Sequence, residues 1–153
     1  MQYWLMKSEP DEVSIDDVMA SKDQTTAWFG VRNYQARNFM RDQMQVGDGV
    51  LFYHSSCPEP GIAGLAEIVS TPYPDASQFD AKGKYYDAKA TQAQPRWISI
   101  DVKGTQKTRL LPLAEMRTIT ALEDMVVLQK GSRLSITPVT PAQWKAIVKL
   151  LKQ

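Results

Sequence analysis

The order in which the hydrophobic period changes along this chain limits its fold most. Apolar side chains alternate with period two at the start, follow a helical period twice, return to period two through the middle, and end on a helix. That order argues against regular βαβ repetition and for an α+β arrangement with a mainly antiparallel, curled sheet or small barrel. Tyr3 to Ser8 reads as the first strand, with Trp4, Met6 and Ser8 on one face and Tyr3, Leu5 and Lys7 on the other. Ser14 and Asp17 offer an N-cap to a short helix that buries Ile15, Val18 and Met19. A second helix is expected over Asn33 to Met44, with Asn33, Arg37 and Arg41 along one stripe and Ala36, Phe39 and Met40 opposite. Val50 to Ser55 is apolar on both faces, which suits a central strand. Ile62 to Thr71 follows, its Gly64 marking a bulge or a close backbone approach.

Tyr73 to Arg96 is turn-rich and reads as a long excursion, of the kind that is usually functional or mobile. Trp97 to Val102 alternates again, a short helix is expected around Leu113 to Arg117, and Arg133 to Ile136 is expected to form the last strand. The final helix has Thr140 as N-cap, Pro141 at N1 and Gln143 at N3, a capping box ahead of a stripe of Trp144, Ile147, Val148 and Leu151. No internal repeat or linker interrupts the chain, so one domain is expected over residues 1–153. With 43% hydrophobic residues at this length, a core large enough to fold without staples is available.

One cysteine, Cys57, and one histidine, His54, exclude a disulfide framework and a Cys/His zinc site within one chain. No acidic spacing matches a metal loop, and neither Gly30 nor Gly61-Ile62-Ala63-Gly64 belongs to a phosphate-cradling glycine motif, so no metal or cofactor is expected. Net charge is +1, so an anionic partner would have to meet a local patch. The start of the chain has neither a basic leader nor a long apolar run, and no stretch reaches the about 20 apolar residues of a membrane span, so a cytoplasmic protein that binds no membrane is expected. Oligomeric state is not legible.

The stretch Trp28-Phe29-Gly30-Val31-Arg32-Asn33-Tyr34-Gln35-Ala36-Arg37-Asn38 stands out. An aromatic ring, a glycine and a helix start with two arginines suit an anionic, planar ligand: the helix start favours phosphate, arginine contacts it in bidentate fashion, and tryptophan offers stacking. The plainer reading stays open, with Trp28 in the core, Asn33 a simple N-cap, and Arg37 and Arg41 solvated. His54 has a plain reading too, as a hydrogen-bonded residue at a strand end.

The chain is similar to the EVE domain family at Tyr3 to Pro10, Trp28 to Asn38, Phe52 to Ser55, Gly61 to Gly64, Tyr86-Asp87, Pro95-Arg96-Trp97 and Arg133 to Ile136. That resemblance implies an α+β, PUA-like fold, a small mixed or antiparallel β-barrel flanked by helices. It also implies a non-catalytic module that reads a modified nucleobase, such as a modified cytosine in DNA or a modified RNA base, in an aromatic pocket. Carried over residue by residue, Lys7 and Ser8 lie near the pocket, Trp28 is a wall, and Val31, Arg32 and Asn33 form the loop into the helix. Asn33 then suits a base edge, and Arg32 or Arg37 a phosphate, two contacts giving a log–log salt slope near about −2. His54 and Ser55 stand beside them, with Tyr86, Asp87, Arg133 and Ser135 as rim positions. The competing enzyme reading has a modified nucleotide or nucleoside as substrate and His54 as general acid/base, assisted by Asp87 or Glu9. A third reading is a protein-interaction module with a vestigial pocket.

Overall fold

Two strands buried on both faces organise the molecule. In the computed structural model, which describes residues 1–152, β1 (Tyr3–Ser8) pairs in parallel with β3 (Gly49–His54), Tyr3 opposite Gly49 and Ser8 opposite His54. Because side chains alternate across a strand, each of these strands feeds two cores. Trp4, Met6, Val50 and Phe52 enter one core with Ile15, Val18, Ala36 and Met40. Leu5, Leu51 and Tyr53 enter the other with Met116, Leu122, Ile147 and Leu151. Continuous apolar runs without polar alternation follow directly from this double burial.

The remaining strands extend the sheet in both directions. The antiparallel neighbours of β3 and β1 are β4 (Gly61–Ile68) and β7 (Ile136–Val139); β6 (Ile98–Pro112) pairs with β4, β2 (Thr25–Trp28) and the short β5 (Tyr73–Pro74). The order β2-β6-β4-β3-β1-β7 leaves β2 and β7 as edges, so the sheet is mixed and curled but the ring is not closed. Gly64 serves both expected purposes. The register against β6 shifts between Ile62 and Gly64, and a Cβ there would come within 2.6 Å of Ile15 Cδ1, where α1 (Ile15–Ala20) crosses the sheet.

The expected N-cap at Ser14 forms, as a full capping box with Asp17, and so does the expected capping box of Thr140 with Gln143, starting α1 and α4 (Pro141–Leu151). On α4 the packed face is rotated from the expected stripe: Ile147 and Leu151 are buried and Trp144 stacks on Tyr3 at 4.5 Å, but Ala146 and Leu150 pack in the core where Val148 was expected. The helix that starts at Asn33 runs as α2 (Tyr34–Asn38) and then widens into a π-helical turn, Phe39–Gln43, where Phe39 packs at 5.3 Å from Trp4 and Met40 is buried. The short helix after β6 is α3 (Leu113–Met116).

Two strand expectations change, and one strand is added. The last strand is not Arg133 to Ile136 but begins at Ile136, although Lys7 N–H still donates to Ser135 O at 2.8 Å. Ile98 opens a 15-residue strand, longer than the six residues whose alternation marks it, because Lys103 to Arg109 is polar and carries no period. Thr25–Trp28, with only Trp28 buried, is a strand that periodicity does not mark. Among the described residues no helix is long and apolar enough to cross a membrane.

Candidate functional site

Five segments of the chain meet at one end of the sheet and leave a cavity of about 520 Å³. The end of β1 supplies Lys7, Ser8 and Glu9, and the segment from β2 into α2 supplies Trp28 through Asn33. Ser55 and Ser56 follow β3, Arg133 and Ser135 precede β7, and Lys84 and Tyr85 come from the long excursion. Trp28 is held by Ser99 Oγ donating to its carbonyl at 2.9 Å and by edge-on packing against Phe52 at 5.5 Å. It is 7% exposed and borders the hollow, so its indole is both core and wall.

The excursion is fixed to this end of the sheet by a buried polar clamp. Asp75, 1% exposed, accepts from Gly30 N at 2.7 Å and Arg32 Nη1 at 3.1 Å on one oxygen, and from Ser77 N and Oγ at 2.8 and 2.6 Å on the other. Burial pushes the Asp75 carboxyl pKa up, but the hydrogen bonds from Ser77, Gly30 and Arg32 outweigh it and hold the pKa below its ordinary 3.8. Gln78, fully buried, ties the base of the loop: its amide donates to Asp75 O and Trp97 O, and its carbonyl accepts from Arg96 N and Trp97 N.

Arg32 is part of that clamp. Its Nε and Nη2 donate to Tyr85 O, its Nη1 to Val31 O and Asp75, and its Nη2 also to Ser77 Oγ. All five N–H groups are used, on four acceptor atoms, so the guanidinium has no donor left for the expected phosphate. Gly30 sits at φ +80°, and a Cβ there would lie 2.8 Å from the Tyr85 ring, which is how close the excursion approaches.

Opposite the clamp, polar groups are sparsely partnered. Lys7 lies over the Tyr53 ring at 6.0 Å, and burial lowers its pKa below the ordinary 10.5. Among the described residues neither Lys7 nor Arg133 forms an ion pair. At the mouth, Glu12 accepts from Lys84 Nζ at 2.7 Å and from Tyr85 Oη at 2.7 and 2.8 Å, joining the excursion to the segment after β1.

Nine of the thirteen residues expected at a site line this cavity: Lys7, Ser8, Trp28, Val31, Arg32, Asn33, Ser55, Arg133 and Ser135. Asn33 also keeps its plain role, its Oδ1 accepting from Ala36 N at 3.0 Å to cap α2. Arg37, His54, Tyr86 and Asp87 do not line it. Arg37 turns away and donates to Asn38 Oδ1 and Arg96 O. His54 Nε2 accepts from Ile15 N at 3.1 Å, which uses the lone pair a general base needs. Burial pushes the His54 pKa below its ordinary 6.5, with Asp16 opposing and Lys107 adding to the shift. Tyr86 points to solvent while its neighbour Tyr85 faces in, and Asp87 accepts from Trp97 Nε1 at 2.8 Å. Among the described residues no cluster of three His, Cys, Asp or Glu side chains could hold a metal.

The EVE domain model matches residues 2–150. The chain belongs to the EVE domain family. It is 42% identical to human thymocyte nuclear protein 1, spanning 97% of this chain and 73% of that protein. Among solved structures, a Pseudomonas syringae protein is 50% identical with a TM-score of 0.92, covering 97% of this chain and 98% of that one. Human THYN1 in complex with 5-methylcytosine-containing DNA is 41% identical with the same TM-score, 0.92, over 100% of this chain and 99% of that one. The fold of this EVE domain is thus α+β and PUA-like, as the resemblance implies.

Sequence reasoning did not find Glu12, Val13, Thr26, Lys84 or Tyr85 in the lining of the EVE domain cavity. Tyr85 alone carried a signal, since Gly30 and a tyrosine-rich excursion are the two halves of one close approach. The others come from segments whose proximity is set only by the fold.

Proposed function

We propose that this EVE domain binds DNA carrying a modified cytosine and takes the extruded base into the Trp28 cavity. The observation that carries the proposal is a hollow of about 520 Å³ with an indole in its wall and two cations, Lys7 and Arg133, that no carboxylate of the described residues pairs. Its volume lies within the roughly 300–1,000 Å³ of small-molecule sites. The human relative's complex with 5-methylcytosine-containing DNA supports 5-methylcytosine as the first ligand to test.

The physical balance is between extrusion and capture. Unstacking one nucleotide costs a few kcal/mol, and stacking against an aromatic wall returns about 1–3 kcal/mol. The rest must come from the base edge. Cytosine presents an exocyclic amine donor beside two acceptors; Glu9 can accept from the amine and Lys7 can donate to the acceptors, while the Ser8 hydroxyl is spent on Val13 O at 2.6 Å. Val13 and Val31 offer apolar surface to a C5 substituent.

Fluorescence anisotropy with methylated and unmethylated duplexes, and with an RNA of the same sequence, tests this. Tighter binding of the methylated duplex is the expected result, lost in Trp28→Ala protein that still melts cooperatively. Equal affinity for both duplexes overturns the proposal, and tighter binding of the RNA reassigns the ligand.

A further inference from the structure

A row of rings and guanidinium groups leads from the cavity wall to the surface. Arg32 lies between Tyr85, 5.4 Å to the ring centre, and Trp97, at 5.3 Å. Tyr34 stacks on Trp97 at 4.9 Å with planes 26° apart, and Arg37 covers Tyr34 at 4.7 Å. Arg96 Nη1 approaches Tyr34 Oη at 3.4 Å, and Arg37 Nη1 donates to Arg96 O at 3.0 Å. The inner members are occupied: Arg32 by the Asp75 clamp, Trp97 by Asp87.

The outer members are not. Tyr34 is 51% exposed although packing alone would favour covering its ring. Neither Arg37 nor Arg96 forms an ion pair among the described residues. Arg37 spends three of its five N–H groups and Arg96 one, so both keep donors in the fork geometry that suits phosphate. Asp87 is the carboxylate that faces this end, and it is already bonded to the indole; Asp42 is bonded to Arg41. Asn33 lines the cavity and Tyr34 is the next residue, so the two surfaces adjoin on one rigid helix start.

We propose that the Tyr34–Arg37–Arg96 surface grips the sugar-phosphate backbone next to the nucleotide in the cavity, with Arg37 and Arg96 on phosphate and Tyr34 against the adjoining sugar or base. This rests on the DNA reading above and adds a second, modification-blind contact to it. Phosphate neutralisation therefore moves from the pair Arg32 and Arg37 to the pair Arg37 and Arg96.

The test uses Arg96→Gln and Arg96→Glu, since the hydrogen bond that side chain makes is to the Tyr34 hydroxyl, with Tyr34→Leu as a second site. Affinity is measured by anisotropy for methylated and unmethylated duplexes at several salt concentrations, with melting curves as the folding control. Arg96→Gln should weaken both duplexes about five-fold and flatten the salt slope by about 0.9 without changing the ratio between them. Arg96→Glu should weaken both further. Unchanged affinity and slope in both Arg96 variants overturn the surface proposal while the methyl preference survives. A flattened slope in protein with no methyl preference supports the surface and overturns the cavity reading. Failure to bind either duplex overturns both, and the same slope change on RNA alone overturns DNA as occupant.

Discussion

The two walls of the cavity are built on opposite principles. On the side of Gly30, Arg32, Asp75 and Gln78, every polar group meets a partner within the protein, including all five donors of Arg32. On the side of Lys7, Ser55 and Arg133, cations stand without carboxylate partners among the described residues. A satisfied network fixes geometry and has nothing left to offer a ligand. The open wall is where a ligand can gain free energy. Arg32 and Arg133 bring the same five donors to the site, yet the first is spent within the protein and the second stands on the open wall.

Breaking the satisfied wall should have the largest effect. Asp75→Ala leaves the Gly30 and Ser77 amides and the Arg32 guanidinium unpaired, and breaking such a pair costs about 3 kcal/mol. For a chain of this size that lowers the melting temperature by about 10 °C, readable by circular dichroism or calorimetry. An unshifted melt would mean that the excursion is held by something other than the clamp. Gly30→Ala comes next, at about 2 kcal/mol, because it imposes a positive φ on a Cβ and drives that Cβ against Tyr85. If Tyr85 instead swings out, stability recovers and the 2.7 Å bond from its hydroxyl to Glu12 is lost.

Acid tests the same wall without a substitution. Asp75 has a folded-state pKa below its ordinary value of 3.8, so its stabilisation is fully present above that value and is lost as pH falls through the folded pKa. Stability of the wild type should therefore drop more steeply below about pH 4 than that of Asp75→Asn, which has no carboxyl to protonate. Parallel acid curves for the two proteins would remove the clamp's claim to this linkage.

These contrasts also explain what could be read from the sequence. The N-cap at Ser14, the capping box at Thr140 and the buried runs of β1 and β3 were legible because each is decided by neighbours within a few residues. The second half of β6 and the strand Thr25–Trp28 were not, because their pairing rests on distant partners while their own residues carry no apolar period. At the site, residue types revealed a candidate patch but not its commitments. Arg32 and Arg37 look alike in sequence, yet Asp75, 43 residues away, takes up the first and leaves the second free of ion pairing. Whether Tyr85 or Tyr86 faces the cavity turns on a one-residue register in a loop, where no periodicity exists to set it.

The smallest effect on stability should come from the open wall, and it is the sharpest test of the contrast. Lys7 borders the cavity with its ammonium group half-buried and outside any ion pair of the described residues. A desolvated, unpaired charge is a cost to the folded state, so Lys7→Met, which keeps the length of the side chain, should change stability by less than about 0.5 kcal/mol or raise it slightly. Its ordinary pKa of 10.5 is lowered in the fold, which means the unfolded chain holds that proton more tightly. Wild-type stability should then rise as pH climbs from the folded-state value toward 10.5, because the native protein gives up that proton first, so the gap between Lys7→Met and wild type narrows in alkali. DNA affinity should move the other way: loss of the donor to the base edge should weaken binding of methylated DNA about ten-fold, the equivalent of about 1.4 kcal/mol. A Lys7→Met protein that melts lower and binds as well as wild type would reverse the roles of the two walls.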